Sequence, residues 1–171
     1  AVLGYADTGG RGIIAASEDT GAFTDYVFGD GMISEVTSGA IADGSWGAKP
    51  SPSAELQAAW EVVATAGGVD GSGVYSGESY DAMALIILAA QAAGSTDRAA
   101  IQAQVMNVAN APGIQCAAGE LGTCLKYISG GLVVDYVGAT GVELDPVGTP
   151  NGSYAEQEVI AGAFTTVKVH N

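Results

Sequence analysis

Basic residues are scarce in this chain of 171 residues: 5 Lys+Arg stand against 19 Asp+Glu, for a net charge of −14 and a pI near 4.1. That balance excludes nucleic acid as a partner, because phosphate binding needs clustered Lys and Arg. It excludes anionic membrane surfaces for the same reason. Solubility is the plain reading of such charge. Histidine is limited to His170, near the C-terminus, so no His-based catalytic pair or zinc site can be assembled. There is no G-x-S-x-G element, and the acidic residues are scattered rather than paired. These absences point away from an enzyme, and no cofactor or metal is called for.

No apolar run reaches the roughly 20 residues needed to cross a bilayer. The chain has no initial Met, no basic n-region and no signal-like h-region. It opens on 1-AVLGY-5, which reads as a strand. A chain that begins inside a strand is expected to be part of a longer one. Cysteine is limited to Cys116 and Cys124. C-x7-C lacks the spacing of a CxxC redox pair. A local disulfide is the favoured reading, and two buried thiols are the alternative. The disulfide would imply an oxidising compartment, periplasmic or extracellular.

What is present is globular: 48% apolar residues, 14% charged, and 26 glycines that imply many turns. Residues 2-VLGY-5, 11-RGIIAASEDT-20 and 25-DYVFG-29 read as strand, helix and strand, the unit of a parallel sheet. Gly21 suits the C′ position of the helix, and Asp30-Gly31 reads as a turn. A weak helix, a strand and a Pro/Ser linker follow. Residues 54-AELQAAWEVVATAG-67 put Leu56, Ala59, Trp60, Val63 and Ala66 on one helical face.

The stretch 78-ESYDAMALIILAAQAAGSTD-97 is apolar almost all round, so protein must bury it. Ser79 is its expected N-cap, with Asp81 in the first turn and Gly94 at the end. Ser95 or Thr96 is expected to cap 97-DRAAIQAQVMNVAN-110. A short helix near 119–128 ends at Gly130-Gly131. Then 132-LVVDYVG-138, 141-GVELDP-146 and 155-AEQEVIAGAFTTVKV-169 read as antiparallel strands.

Two glycine patterns stand near the N-terminus. Gly4-x4-Gly9-Gly10-Arg11 lacks the Lys and Ser/Thr of a phosphate loop. Residues 10-GRGIIA-15, with Asp30 twenty residues on, fit a dinucleotide fingerprint. However, the glycines come late, and Arg11 stands where backbone should meet pyrophosphate. A dinucleotide-binding module is therefore a rival reading only. Position is more informative. Open parallel sheets bind ligands beyond the carboxyl ends of their strands, which singles out Tyr5-Ala6 and Asp30. Asp30 could pair with an ammonium group, and Tyr5 offers a packing face and a hydroxyl. Asn151-Gly152-Ser153 and Asp145 read as turn residues.

Three segments carry a resemblance: 75-YSGESYDAMALIILAAQAAGSTD-97, 119-GELGTCLKYISGG-131 and 135-DYVGATGVELDPVG-148. In order and spacing they resemble the C-terminal half of type I periplasmic solute-binding proteins, the branched-chain amino-acid receptors of ABC importers. The resemblance implies a partial α/β fold of the type I periplasmic-binding-protein class. It places residues 1–45 in lobe two and 46–53 in a crossing linker. Residues 54–112 fall in the helical part of lobe one and 113–171 in the closing helix and strands of lobe two.

It further implies a solute clamped between the lobes, with Asp30 taking an amino acid's α-ammonium group. Tyr5 or Ala6 would contact the ligand from the preceding loop, and Tyr75 would supply an aromatic contact. Asp in place of the family's commoner Glu shortens the reach by one methylene, which leaves the ligand's identity open. The implied partners are a membrane permease and the N-terminal half of the same protein, or other copies of this chain. The apolar helix Tyr80–Ala93 would then lack its sheet, so the chain alone is expected to leave that helix uncovered or to associate. A structural, self-assembling fragment is the second rival.

Overall fold

The computed structural model describes residues 1–5, 9–33 and 42–170, with the backbone alone for Tyr5. The chain forms two compact units, Ala1–Ser51 with Ser153–Asn171, and Pro52–Gly152.

The first unit is a five-stranded sheet in the order β1-β2-β3-β6-β7. Strands β1 (Val2–Tyr5), β2 (Val27–Gly29) and β3 (Trp46–Pro50) run parallel, and β6 (Tyr154–Ile160) and β7 (Ala163–His170) complete it as an antiparallel hairpin. Between β1 and β2 lies helix α1 (Arg11–Thr20). It stops at Gly21 as expected: this residue adopts φ +62° and its N–H bonds the Ser17 carbonyl at 2.7 Å. Leu3, Ile14, Phe28, Met32 and Val159 form the core. Phe164 meets Phe28 edge-on at 5.3 Å.

Gly47 leaves room for the backbone and Cβ of Phe28. A Cβ there would lie 2.6 Å from the Phe28 carbonyl oxygen and 2.9 Å from its Cβ. Gly47→Ala is therefore expected to destabilise the chain by about 1–3 kcal/mol through overpacking. A urea midpoint unchanged from the parent would refute this.

The second unit contains α3 (Ala54–Ala66), α4 (Ser76–Ala93), α5 (Arg98–Ala109) and α6 (Leu121–Ser129) around a two-stranded parallel sheet, β4 (Ile114–Ala117) and β5 (Val134–Gly138). Its core joins Ala84, Leu88, Val108, Val134 and Tyr136. Cys116 on β4 and Cys124 on α6 are both buried and bonded to each other, as the spacing suggested. In the chain-entropy account, closing so short a loop is worth roughly 2–3 kcal/mol. Reduction should lower the unfolding midpoint accordingly and raise the intact mass by about 2 Da. Full alkylation of unreduced protein would refute the bond.

Several expectations are corrected. Residues 46–50 are not a linker but a central strand, held by β2 on one side and β6 on the other. Residues 113–152 belong to the second unit, because β4 and β5 pair with each other while only β6 and β7 return to the first sheet. Of the segment 132–138, Val134–Gly138 is thus parallel-paired, and 141–146 contributes only the isolated bridge Leu144 to Pro150.

Asp30 is not in a simple turn but opens the short helix α2 (Asp30–Ile33). Helix α4 starts at Ser76 rather than after Ser79. Asp97, not Ser95 or Thr96, caps α5, accepting from the Ala99 and Ala100 N–H groups. On α3, Trp60 and Ala64 are buried while Ala59 and Ala66 are exposed.

The apolar helix α4 finds part of its cover in this chain. Ala84, Leu88 and Ala89 are buried against α5, α6 and β5. Its other side presents Met83 and Ile86, 57% and 49% exposed.

Candidate functional site

The first unit positions its candidate residues through strand register. Val2 lies beside Val27 and Leu3 beside Phe28 in a parallel pair. One step on, Gly4 meets Gly29 so closely that a Cβ on Gly29 would sit 3.2 Å from the Gly4 carbonyl oxygen. Bare backbone at this point lets β1 and β2 end level with each other. The next residues are Tyr5, the last of β1, and Asp30, the first of α2. Both therefore stand at the carboxyl rim of the parallel strands, where open α/β sheets take ligands. Asp30 is half-buried, and its Oδ1 accepts the Gly31 N–H at 2.7 Å. That bond fixes the carboxylate at the rim. Ala6, the alternative to Tyr5, lies outside the described residues.

Tyr75 belongs to the second unit. It precedes α4 in the left-handed region, with φ +64°, and is 44% exposed. A tyrosine in that conformation is sterically unfavourable and is held there by its surroundings. Tyr75 stands just ahead of the first turn of α4, which meets the carboxyl rim of the second sheet. A Cβ on Gly77 would come within 3.1 Å of Thr140 Cγ2 and 3.3 Å of Ala139 Cβ, in the loop after β5. The Tyr80 hydroxyl accepts the Gly119 N–H at 3.0 Å, in the loop after β4. Trp60 lies 4.8 Å from the Tyr80 ring and donates its indole N–H to Ser76 Oγ at 3.2 Å. So Tyr5 and Asp30 share one rim, and Tyr75 stands at the rim of the other unit.

The second rim rests on Asp81, a residue that sequence reasoning took for a first-turn helix charge. It is buried on α4 and accepts four hydrogen bonds. Oδ1 takes the Tyr136 hydroxyl and the Ala139 N–H, each at 2.8 Å. Oδ2 takes the Thr140 N–H at 2.9 Å and the Thr140 hydroxyl at 2.7 Å. Burial, and then the Asp81 carboxylate, push the Tyr136 hydroxyl far above its ordinary pKa. The signal in the sequence was the pair of segments 80-YDA-82 and 135-DYVGAT-140, but nothing local joins them. Asp135 is also buried, and its Oδ1 has no hydrogen-bond partner among the described residues. By strand alternation it points away from Tyr136 and takes no part in the Asp81 clamp.

The glycines of 10-GRGIIA-15 do not form a strand-to-helix turn: Arg11 is the first residue of α1 and Gly12 lies within it. Among the described residues, no cluster of three or more His, Cys, Asp or Glu side chains could hold a metal ion. No described helix is long and apolar enough to cross a membrane.

No family model and no curated protein matches this sequence. Among solved structures, the chain is similar to a leucine-binding protein, LivK, from Thermotoga maritima, with a TM-score of 0.63 and 17% sequence identity. The match covers 99% of this chain and 43% of that one, so the chain spans less than half of its neighbour's length. The fold is therefore α/β, with a sheet rich in parallel strands, matching part of a type I periplasmic-binding-protein fold.

Proposed function

We propose that this chain is part of an extracytoplasmic substrate-binding component of an ABC importer, which holds an amino acid or similar small solute between two lobes. The observation that carries the reading is Asp30 at the carboxyl rim of β1 and β2, directly after the close approach of Gly4 and Gly29. A carboxylate there offers a charge-assisted bond to an ammonium group. Tyr75, at the rim of the second unit, is the aromatic contact from the other lobe. The fold match to a leucine-binding protein supports the solute class. The disulfide supports an oxidising compartment. No bond is made or broken in this role. Lobe closure around the solute would create the surface that a membrane permease recognises.

The test is calorimetric titration of the complete encoded protein with a panel of amino acids and with carboxylates lacking the amine. Saturable binding of at least one amino acid is expected, with a Kd on the order of micromolar. Failure to bind any amino acid would overturn the reading.

A second reading, assembly through apolar surface, has its own observation. Met83 and Ile86 are exposed on α4, and Val2, Trp46 and Ile160 are exposed on the first sheet. Sedimentation velocity of the 171-residue chain would then show a mass that rises with concentration. A monomer at every concentration would refute it.

A further inference from the structure

Unit two carries a groove at the opposite end of its strands from the rim that holds Tyr75. Its walls are the end of α4, the side of α5, Pro112 ahead of β4, Ile128 near the end of α6, and Leu132 and Val133 ahead of β5. Its volume is about 400 Å³, within the usual range for a small-molecule site. None of its twelve lining residues is charged, in a chain of net charge −14. An anion would meet the repulsive field of the whole chain with no cation to offset it. A cation would find no carboxylate in the walls to hold it. The lining therefore selects a neutral molecule.

Two amides on α5 give the groove its polarity. Asn107 Nδ2 donates to Gln104 Oε1 at 3.1 Å. That bond leaves Gln104 Nε2 as a donor and Asn107 Oδ1 as an acceptor. Flipping both amides leaves the same complement, one NH₂ group and one carbonyl oxygen wholly unengaged. The third amide, Asn110, is already engaged at both ends by the Leu144 backbone. A primary carboxamide matches the free pair, since its carbonyl accepts from one amide while its N–H donates to the other. Val108, Pro112, Ile128 and Leu132 supply apolar wall for the body that carries it.

We infer that this groove is a binding site for a small neutral carboxamide with an apolar body, separate from the carboxyl rims. The probe is benzamide, with benzoate and benzylamine as charged analogues of similar size. The ¹⁵N-labelled 171-residue chain is titrated by NMR, following the side-chain amide signals of Gln104 and Asn107. Saturable shifts with a Kd near 1 mM are expected for so small a ligand. Benzoate and benzylamine should bind at least tenfold more weakly. Ala92→Phe, which fills the groove from an exposed position on α4, should abolish the shifts. The double variant Gln104→Leu/Asn107→Leu should weaken binding about tenfold.

No saturation by benzamide, or equal binding of benzoate, would overturn the inference in the unaltered chain. Undiminished binding to Ala92→Phe would do so as well. Displacement of benzamide by an amino acid that binds the protein would show that the site is not separate.

Discussion

Replacing Asp81 by alanine is expected to destabilise the second unit by about 3–5 kcal/mol, because it orphans several donors together. The carboxylate is the acceptor for the Tyr136 hydroxyl, the Ala139 and Thr140 N–H groups and the Thr140 hydroxyl. A buried donor left without a partner costs about 1–3 kcal/mol, and the Thr140 groups recover part of theirs from water. Asp81→Asn should lose roughly half as much. One oxygen can still accept two bonds, but the amide nitrogen then faces two donors. Tyr136→Phe should lose only about 1 kcal/mol, since it removes a donor and orphans no backbone group. The order Ala, Asn, Phe is the check, read from urea denaturation followed by the fluorescence of Trp60 in the same unit. A loss below about 1 kcal/mol for Asp81→Ala would show that the loop 138–140 holds itself.

The same clamp gives a pH dependence whose sign is fixed. The folded pKa of Tyr136 lies above the unfolded value. The unfolded chain therefore releases this proton near pH 10 while the folded chain keeps it. Stability from this group is fully present below pH 10 and falls as pH rises further, because the unfolded state then binds fewer protons. Tyr136→Phe should flatten that alkaline fall. An alkaline limb unchanged in Tyr136→Phe would assign it to other groups.

Why Asp81 escaped a reading of the sequence is a matter of distance along the chain. Its partners lie 55 to 59 residues away, and locally an Asp near a helix start is explained by the helix dipole alone. A strand was expected in the region of β3, but its bounds were hidden for a similar reason. Gly47 and Pro50 look like linker residues, yet the glycine is there because Phe28 fills the space its side chain would need. Strand β5 was misread as antiparallel because its partner β4 is only four residues long and follows the Pro112-Gly113 break.

What was legible depended on short-range or order-based rules. Gly21 ends α1 through its own φ, and the cysteine pair closes a local loop. The rim position of Tyr5 and Asp30 follows from strand–helix–strand order alone, which requires no knowledge of distant contacts. The unit boundary, by contrast, depends on β6 pairing with β3, more than a hundred residues earlier in the chain, and no local signal carries that.

Asp30→Asn in the complete protein is expected to weaken amino-acid binding about 10- to 150-fold, the worth of a charged hydrogen bond of roughly 1.5–3 kcal/mol. The carboxylate stands at the carboxyl rim with Tyr5, where a ligand's ammonium group would meet it. Asparagine keeps a carbonyl oxygen to accept the Gly31 N–H, so that bond survives the substitution. The loss would then be one of charge and not of position. Asp145→Asn is the control. That carboxylate accepts the Val147 and Thr149 N–H groups in an exposed turn of the second unit, so its substitution should leave affinity unchanged. Both variants are titrated calorimetrically against amino acids and against carboxylates without the amine. If Asp30→Asn binds amino acids as tightly as the parent, the Asp30 charge takes no part in ligand binding. If the parent instead prefers a ligand without an amine, the rim is a binding site but an ammonium group is not what Asp30 meets there.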